Sequence, residues 1–275
     1  MALYQRDKGA STGRECYMEH VTFTTYDDVR LAGNLYLPQG NAEWWPGIVV
    51  CHGFGSSKER HADFGERAAA AGLVTLIIDL RGHGESGGEV DANLFNDVAA
   101  AFLYLQSRPE VNPMSVAIRG SSMGGWLAIH TAAHLKEVAP VVAYCPTSES
   151  QLSILMEEVA MVQRGHPSPL VQGTPPRVKV NSILQLLFRV DVAKAAKRIS
   201  PRHLLLVQCE GDEVVPPHVS QRIYNEANEP KTMWLLPGGD HEFAQHDPET
   251  DARVFEWLKM ARPAMQQLAP EDIVG

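Results

Sequence analysis

The chain has 275 residues, of which 44% are hydrophobic and 21% charged, an ordinary composition for a globular protein. Its formal net charge of −9 argues against nucleic-acid binding, which needs a basic surface. No stretch approaches the roughly 18 apolar residues of a membrane span. Residues 1–14 lack the apolar core of a signal peptide, and the four scattered cysteines indicate free thiols in a reducing compartment. We therefore expect a cytoplasmic protein that binds neither nucleic acid nor membrane.

The predicted elements begin with two alternating segments, 17–25 and 30–37, which indicate an antiparallel hairpin at a sheet edge. Continuous apolar runs and helical patterns then alternate along the chain. The further predicted strands are 47–51, 73–80, 114–119, 139–145, 204–208 and 232–236. The predicted helices are 58–71, 92–106, 123–135, 218–226 and 249–260. This alternation predicts an α/β fold whose central sheet is mostly parallel, with helices on both faces.

The segment 148–199 breaks the alternation. It contains an amphipathic stretch, 151–163, then a run rich in glycine and proline, and then a second apolar stretch, 183–190. We interpret it as a small helical lid over the carboxyl edge of the sheet, where open α/β sheets bind ligands. An irregular crossover with no role in binding is the alternative. The predicted organisation is a core of 15–147 and 200–263, a lid of 148–199, and flexible termini of 1–14 and 264–275.

A G-x-S-x-G pattern at residues 120–124 has Ser122 at its centre. It follows an apolar strand and opens a helix, which is the context that a nucleophile elbow requires. In such a turn the serine is strained and projects at a helix N-terminus, where partial positive charge favours an oxyanion. A phosphate-binding turn is the alternative, but the lysine of a P-loop is absent. Ser121 should point away from the cleft and is the weaker candidate.

A serine nucleophile needs a base, and in this arrangement the chain order is serine, acid, histidine. His241 lies in a glycine-rich loop just after the last predicted strand, and His246 in the same loop is the alternative base. Asp212 follows the penultimate strand and would orient the histidine. Glu210 and Glu213 flank it, so the neighbouring carboxylates remain open as the acid.

The loop after the strand at 47–51 has an H-G-x-G pattern, which can direct a backbone N–H at a carbonyl oxygen. The predicted oxyanion-hole donors are the main-chain N–H groups of Phe54 and Met123. We interpret His52 as a side chain that braces this loop, and Arg81 and His83 as residues that hold neighbouring loops together. No cluster has metal-ligand spacing in the sequence, so neither a metal nor a cofactor is expected.

Residues 21–258 resemble the α/β-hydrolase superfamily. The motifs at 28–38, 52–55 and 79–86 look like those of bacterial carboxylesterases of the feruloyl and cinnamoyl esterase type. The resemblance implies a catalytic triad of Ser122, Asp212 and His241, and an inserted lid that shapes an acyl or aromatic pocket. The chain departs from many of these relatives at Ser121, where they carry histidine. Dienelactone hydrolases usually have a cysteine nucleophile, and Ser122 departs from that pattern.

These observations predict a carboxylesterase that cleaves a small-molecule ester through an acyl-enzyme intermediate. Four apolar lid residues would favour a short acyl or aromatic group: Leu152, Leu155, Met156 and Leu187. A serine peptidase or amidase with the same triad is the alternative, with Glu157 and Glu158 to hold a peptide terminus. A binding protein without catalysis is a third hypothesis, since fold alone does not fix function. The sequence leaves open whether the protein forms a homodimer.

Overall fold

The structure is a computed structural model that describes residues 17–168 and 175–261. Its strands are β1 (Tyr17–Thr24), β2 (Arg30–Leu37), β3 (Trp45–Cys51), β4 (Val74–Ile78), β5 (Val111–Ser121), β6 (Val141–Tyr144), β7 (Leu204–Cys209) and β8 (Lys231–Leu236). Its α-helices are α1 (Ala62–Ala70), α2 (Phe95–Gln106), α3 (Met123–His134), α4 (Glu149–Gln163), α5 (Val180–Leu187), α6 (Val192–Lys197), α7 (Pro217–Glu226), α8 (Phe243–His246) and α9 (Pro248–Ala261). The termini predicted to be flexible and part of the glycine- and proline-rich run lie outside the described residues.

The eight strands form one sheet in the order β1-β2-β4-β3-β5-β6-β7-β8. Strands β3 to β8 are parallel, whereas β1 and β2 are antiparallel to their neighbours. The predicted hairpin therefore lies at a sheet edge, and its turn includes Asp28 at φ 60°. The carboxyl ends of β3, β5, β6, β7 and β8 all meet at one edge, so the loops that follow these strands are neighbours.

Two hydrophobic clusters cover the two faces of the sheet. One contains residues of α2, α3 and α7, and the other contains residues of α1 and α9. All residues of β4 and β7 are buried, which explains why their sequences are apolar without alternation. The prediction of a mostly parallel sheet with helices on both faces is confirmed. No helix of the described ranges is long and apolar enough to cross a membrane.

Three helices, α4 to α6, lie between β6 and β7, and the sequence analysis missed the third. Its sequence, VAKAAK, is short and lacks a long apolar period, but Asp191 caps it by accepting from the N–H groups of Ala193 and Lys194. The four-residue helix α8 was missed for the same reason. That the inserted helices act as a lid, and that 148–199 is a separate unit, stay predictions.

A single carboxylate ties this insertion to the core. Oε1 of Glu149, at the start of α4, accepts from Nε1 of Trp126 at 2.7 Å and from the N–H of Val192 at 2.8 Å. Nε2 of His130 lies 3.3 Å from the same oxygen. Two inserted helices are thus hydrogen-bonded to α3 through one side chain.

Buried Arg81 holds three segments together, as the sequence analysis expected of it. Its guanidinium donates to Asp97 at 2.7 Å, to Asp91 at 2.9 Å and to Asp27 at 2.8 and 3.0 Å. The last of these lies in the turn of the edge hairpin. The loop after β4 is therefore fixed to that hairpin and to the start of α2.

We expect Gly120→Ala to cost at least about 3 kcal/mol of unfolding free energy, because a Cβ there would overlap the main-chain oxygen of Gly124. Gly55→Ala is the comparison: this glycine has φ +75° but no heavy atom within 4 Å of a built Cβ, so only the backbone cost of about 1–2 kcal/mol applies. Urea unfolding measures both. Equal losses for the two variants would contradict steric crowding between β5 and α3.

Candidate active site

Ser122 occupies a sharp turn between β5 and α3. Its backbone has φ 54° and ψ −117°, a conformation that non-glycine residues rarely adopt. Its N–H donates to the oxygen of Tyr144 at 2.9 Å, and its own carbonyl accepts from the N–H of Trp126 at 3.1 Å. These bonds hold the strained residue at the N-terminus of α3, as the nucleophile-elbow pattern predicts.

Glycines allow other backbone to pass close to this turn. A Cβ on Gly124 would overlap the main-chain oxygen of Cys51, at the end of β3. A Cβ on Gly53 would lie 3.2 Å from Cβ of Ser122 and 3.8 Å from its Oγ. The loop after β3 therefore lies directly beside the serine hydroxyl.

His241 and Asp212 form a hydrogen-bonded pair at the same edge of the sheet. Nδ1 of His241 donates to Oδ2 of Asp212 at 2.7 Å. Oδ1 of the carboxylate accepts from the N–H groups of Val214 at 3.0 Å and Val215 at 2.7 Å. Burial opposes ionisation of this carboxyl, but the bonds from His241 and Val215 outweigh it and lower the pKa of Asp212. The carboxylate is therefore ionised at neutral pH and fixes which imidazole nitrogen carries the proton.

The loops that carry Asp212 and His241 are held together by direct contact between their main chains. The N–H of Gly211 donates to the oxygen of Gly238 at 3.3 Å, and a Cβ on Gly211 would lie 2.6 Å from the oxygen of Gly239. Gly238 and Gly239 have φ of +65° and +68°, which favours glycine. The loops after β7 and β8 thus meet closely enough to bring aspartate and histidine into contact.

The alternative base and acids lie elsewhere. His246 stacks on His61 with ring centroids 5.5 Å apart, and its Nδ1 is 3.5 Å from a carboxylate oxygen of Asp63. Glu210 and Glu213 are both exposed, and Asp212 is the carboxylate that hydrogen-bonds to His241. The geometry favours His241 and Asp212 over these neighbours.

The sequence analysis missed Gln208, a buried residue of β7. Its Nε2 lies 3.2 Å from Oδ2 of Asp212 and 3.0 Å from the oxygen of Val215, and its Oε1 accepts from Oγ of Ser220 at 2.6 Å. Gln208 therefore links the carboxylate to the loop and helix that follow it. A polar residue inside the apolar run LLLVQC, four positions before the aspartate, is the signal that could have found it.

The main-chain N–H groups of Phe54 and Met123 donate to no acceptor in the described part of the chain. Two histidines hold the loop that contains Phe54. Nδ1 of His52 donates to the oxygen of Gly53 at 2.7 Å while its Nε2 accepts from Leu80 N–H. His83 Nε2 accepts from the N–H of Gly55 at 3.1 Å, and burial lowers the pKa of His83 to about 3. Both imidazoles are therefore neutral braces, as expected for this loop.

An apolar cavity of about 10 Å³, roughly the space of one water molecule, lies between the inserted helices and α3. Three of the four predicted substrate-binding side chains line it: Leu152, Met156 and Leu187. Met123, the residue after the serine, lines it as well. Leu155 does not line the cavity, although it packs against the same hydrophobic cluster.

A cluster that the sequence spacing did not reveal lies around the histidine. Sγ of Cys145, a carboxylate oxygen of Asp212 and a ring nitrogen of His241 all lie within 4.8 Å of one another. Cys145 follows β6, is buried and has φ 43°. A hydrogen bond with Cys209 and burial raise the pKa of the Cys145 thiol, so it is protonated at neutral pH. These residues follow three different strands, which is why spacing along the chain gave no sign of the cluster.

The structure joins two of the three predicted triad members directly. In the described ranges, the Ser122 hydroxyl makes no hydrogen bond to His241. Cys145 connects the two parts of the site, because it follows Tyr144, which accepts from the Ser122 N–H, and its thiol lies beside the His241 ring. Serine and histidine therefore lie at the same edge of the sheet.

Comparison with known proteins gives both a sequence match and structural matches. A family model described as serine aminopeptidase, S33, matches residues 46–176. A hypothetical protein of Pseudomonas aeruginosa has a similar structure, with a TM-score of 0.76 and 22% identity over 94% of this chain and 98% of that one.

Two further solved structures carry more descriptive names. The alpha/beta hydrolase GrgF of Penicillium sp. sh18 gives a TM-score of 0.71 and 23% identity, covering 90% of this chain and 99% of GrgF. Est1E of Butyrivibrio proteoclasticus, solved with ferulic acid bound, gives a TM-score of 0.67 and 21% identity, covering 87% of this chain and 97% of Est1E. At these identities the structural likeness shows a shared fold.

We expect Asp212→Asn to lower the unfolding free energy by about 1–3 kcal/mol at neutral pH. This loss should shrink in acid. The pKa of Asp212 in the folded protein is below its unfolded value of about 3.9, so the ionised group stabilises the fold above that pH. The stabilisation is lost as pH falls through the lower, folded-state value. Urea unfolding of both proteins at a series of pH values measures the difference.

Asp240→Asn is the matched control, because it removes the same charge from an exposed side chain next to His241. A difference between Asp212→Asn and the parent that does not change with pH would contradict a stabilising, ionised Asp212.

Proposed function

We propose that the chain is a serine hydrolase of the α/β-hydrolase superfamily that cleaves carboxylic esters through an acyl-enzyme intermediate, a proposal supported by the family model that matches residues 46–176 and by the shared fold. One observation carries the proposal: a serine with strained backbone geometry begins a helix at the sheet edge that also holds a hydrogen-bonded histidine–aspartate pair. A histidine oriented by an aspartate is the group that commonly activates a serine hydroxyl for nucleophilic attack.

In the proposed reaction, the Oγ of Ser122 attacks the ester carbonyl carbon while Nε2 of His241 takes its proton. Nδ1 of His241 stays bonded to Asp212, whose negative charge stabilises the imidazolium that forms. Collapse of the tetrahedral intermediate releases the alcohol, which receives the proton from His241. A water molecule, deprotonated by the same imidazole, then hydrolyses the acyl-enzyme. The first step needs hydroxyl and imidazole within about 3.2 Å, a distance that often closes only when substrate binds.

The negative oxygen of the intermediate would be held by the N–H groups of Phe54 and Met123. Neither group has an acceptor in the residues that the structure describes, and Phe54 belongs to the loop that lies against Ser122. Loss of one such donor typically lowers the rate about 10²–10³-fold. The hydrogen bonds of His52 and His83 would hold this loop in place before the reaction. The N–H donor would then already be oriented, and no solvent would need to reorganise when the negative charge forms.

The acyl group would enter the apolar cavity beside Met123. Its walls carry apolar side chains, which suits an alkyl or aromatic acyl group over a charged one. Its present volume of about 10 Å³ admits little more than a methyl group, so larger acyl groups require the side chains of α4 and α5 to move. Est1E binds ferulic acid, and we propose an aromatic acid ester as one candidate substrate for this chain.

A peptidase or amidase with the same triad is the second candidate, favoured by the description of the matching family model as serine aminopeptidase. An aminopeptidase needs a carboxylate to bind the free amino terminus of its substrate. Glu157 and Glu158, the residues expected to hold that terminus, lie on α4, where Glu157 is exposed and Glu158 half-buried. Comparing an aminoacyl nitroanilide with a p-nitrophenyl ester of equal acyl size distinguishes the two candidates.

We expect Ser122→Ala to lower kcat/KM for p-nitrophenyl acetate by at least about 10⁴-fold, because the nucleophile is lost. The parent protein should show a burst of p-nitrophenolate, and a fluorophosphonate probe should label Ser122, as read by mass spectrometry of the peptide.

Ser121→Ala is the matched control. It removes the adjacent buried hydroxyl, which has no hydrogen-bond partner in the described ranges, and should leave both labelling and turnover in place. Full turnover by Ser122→Ala, or probe attached to Ser121 instead, would contradict the assignment of the nucleophile.

We expect Met156→Ala to raise kcat/KM for p-nitrophenyl hexanoate relative to the acetate, because Met156 is 1% exposed and its shortening enlarges the cavity. Leu155→Ala, on the same helix but not lining the cavity, should leave the ratio unchanged. The ratio of kcat/KM for the two esters is the measurement, since it cancels differences in folded fraction. An equal change in both variants would place the acyl group somewhere else.

A further inference from the structure

We propose that the cluster of Cys145, Asp212 and His241 is a binding site for a thiophilic divalent cation such as Zn²⁺, which inhibits the enzyme by replacing the proton between histidine and aspartate. Inhibition rests on the function proposed above, whereas binding of the ion does not. The cluster supplies one sulfur, one nitrogen and one oxygen ligand, and its atoms lie within 4.8 Å of one another.

The geometry is near that of a tetrahedral zinc site. Bond lengths of about 2.0–2.3 Å and the tetrahedral angle put zinc ligand atoms about 3.3–3.7 Å apart. To reach this, the sulfur must approach by about 1 Å, and Nδ1 of His241 and Oδ2 of Asp212 must separate from 2.7 Å to about 3.3 Å. Three protein ligands leave the fourth position for water.

Two of the ligands are already supported by hydrogen bonds to neighbours. Asp212 keeps its bonds from Val214, Val215 and Gln208 when its contact with His241 opens, so the carboxylate stays oriented. Cys145 is 2% exposed, and its main-chain N–H donates to Val207 at 2.8 Å. The His241 side chain, 15% exposed, is the member of the cluster that contacts solvent, so the ion would enter past it.

Binding releases one proton and moves another. Zn²⁺ displaces the proton of the Cys145 thiol, which leaves to solvent, and takes the place of the proton on Nδ1 of His241, which moves to Nε2 so that the imidazole stays neutral. The resulting site has one thiolate, one carboxylate and one neutral imidazole, the ligand types that zinc prefers. No oxidation or reduction is involved.

The ion would stop catalysis by disabling the general base, His241. With Nδ1 bonded to Zn²⁺, the neutral imidazole carries its proton on Nε2 and has no lone pair left to accept the proton of Ser122. Asp212 would also be neutralised by the metal and could no longer stabilise an imidazolium. Ser122 would keep its position but lose its proton acceptor.

The test begins with binding in the Ser122→Ala background, which lacks the proposed nucleophile. Isothermal titration calorimetry with Zn²⁺ should give one site of 1:1 stoichiometry. Titration with Co²⁺ should give the thiolate-to-cobalt charge-transfer absorption that reports a sulfur ligand. Adding Cys145→Ser should remove that absorption and weaken Zn²⁺ binding by at least about tenfold.

Cys209→Ser is the matched control, because it replaces a buried thiol at the end of the neighbouring strand that lies outside the cluster. It should keep both the absorption and the affinity. Cys145→Ala provides a second variant, so that a folding defect in one substitution, seen by circular dichroism, does not decide the outcome.

Inhibition is then measured with Ser122 intact. Zn²⁺ should inhibit ester hydrolysis in the parent and in Cys209→Ser, and at least about tenfold more Zn²⁺ should be needed in Cys145→Ser. Binding that is unchanged by both substitutions of Cys145, or no binding at all, overturns the site. A parent protein that binds Co²⁺ through sulfur but hydrolyses no ester would instead contradict the proposed function and leave the site standing.

Discussion

Backbone crowding where β5 turns into α3 is the constraint on which the rest of the site depends. The chain reverses direction through Ser122 at φ 54°, and glycines on both sides let β3 and α3 approach to contact distance. Because β3 and β5 are parallel neighbours, their following loops emerge together, and the loop containing Phe54 lies against the serine. The strain in one residue is thus maintained by a rigid sheet beneath it and by hydrogen bonds to Tyr144 and Trp126.

The buried side chains of Asp212, His52 and His83 near this edge all have defined hydrogen-bond partners. The Asp212 carboxylate receives hydrogen bonds from two main-chain N–H groups, from His241 and from Gln208. His52 and His83 each use both ring nitrogens. A polar network with its partners in place is stiff, whereas one with missing partners destabilises the fold. The stiffness keeps the donors of the loop and the orientation of the imidazole fixed before any substrate arrives.

Much of this arrangement was predictable, because the sequence carries local signals for it. The apolar runs of β3, β4 and β7 and the G-x-S-x-G turn predicted the parallel sheet and the elbow, and chain order then selected Asp212 and His241. What the sequence could not supply was proximity between strands. Cys145 directly follows its strand, and its proximity to Asp212 exists only because β6 and β7 are neighbours. The short helix α6 was not predicted, because six residues are too few to show the helical repeat of apolar side chains.

The hydrogen bonds of Glu149 have a consequence for how substrates reach the cavity. One carboxylate oxygen fastens the first turn of α4 and the first residue of α6 to Trp126, which also forms part of the cavity wall. The inserted helices α4 and α6 and the cavity wall at Trp126 are therefore joined through one side chain. This connection resists a rigid-body movement of the whole insertion away from α3. Under the proposed function, access to the cavity would depend on rotation of individual side chains such as Met156, a flexible thioether with three torsions. Molecules would then be admitted on the fast timescale of rotamer exchange, and selection would depend on their width more than on domain motion.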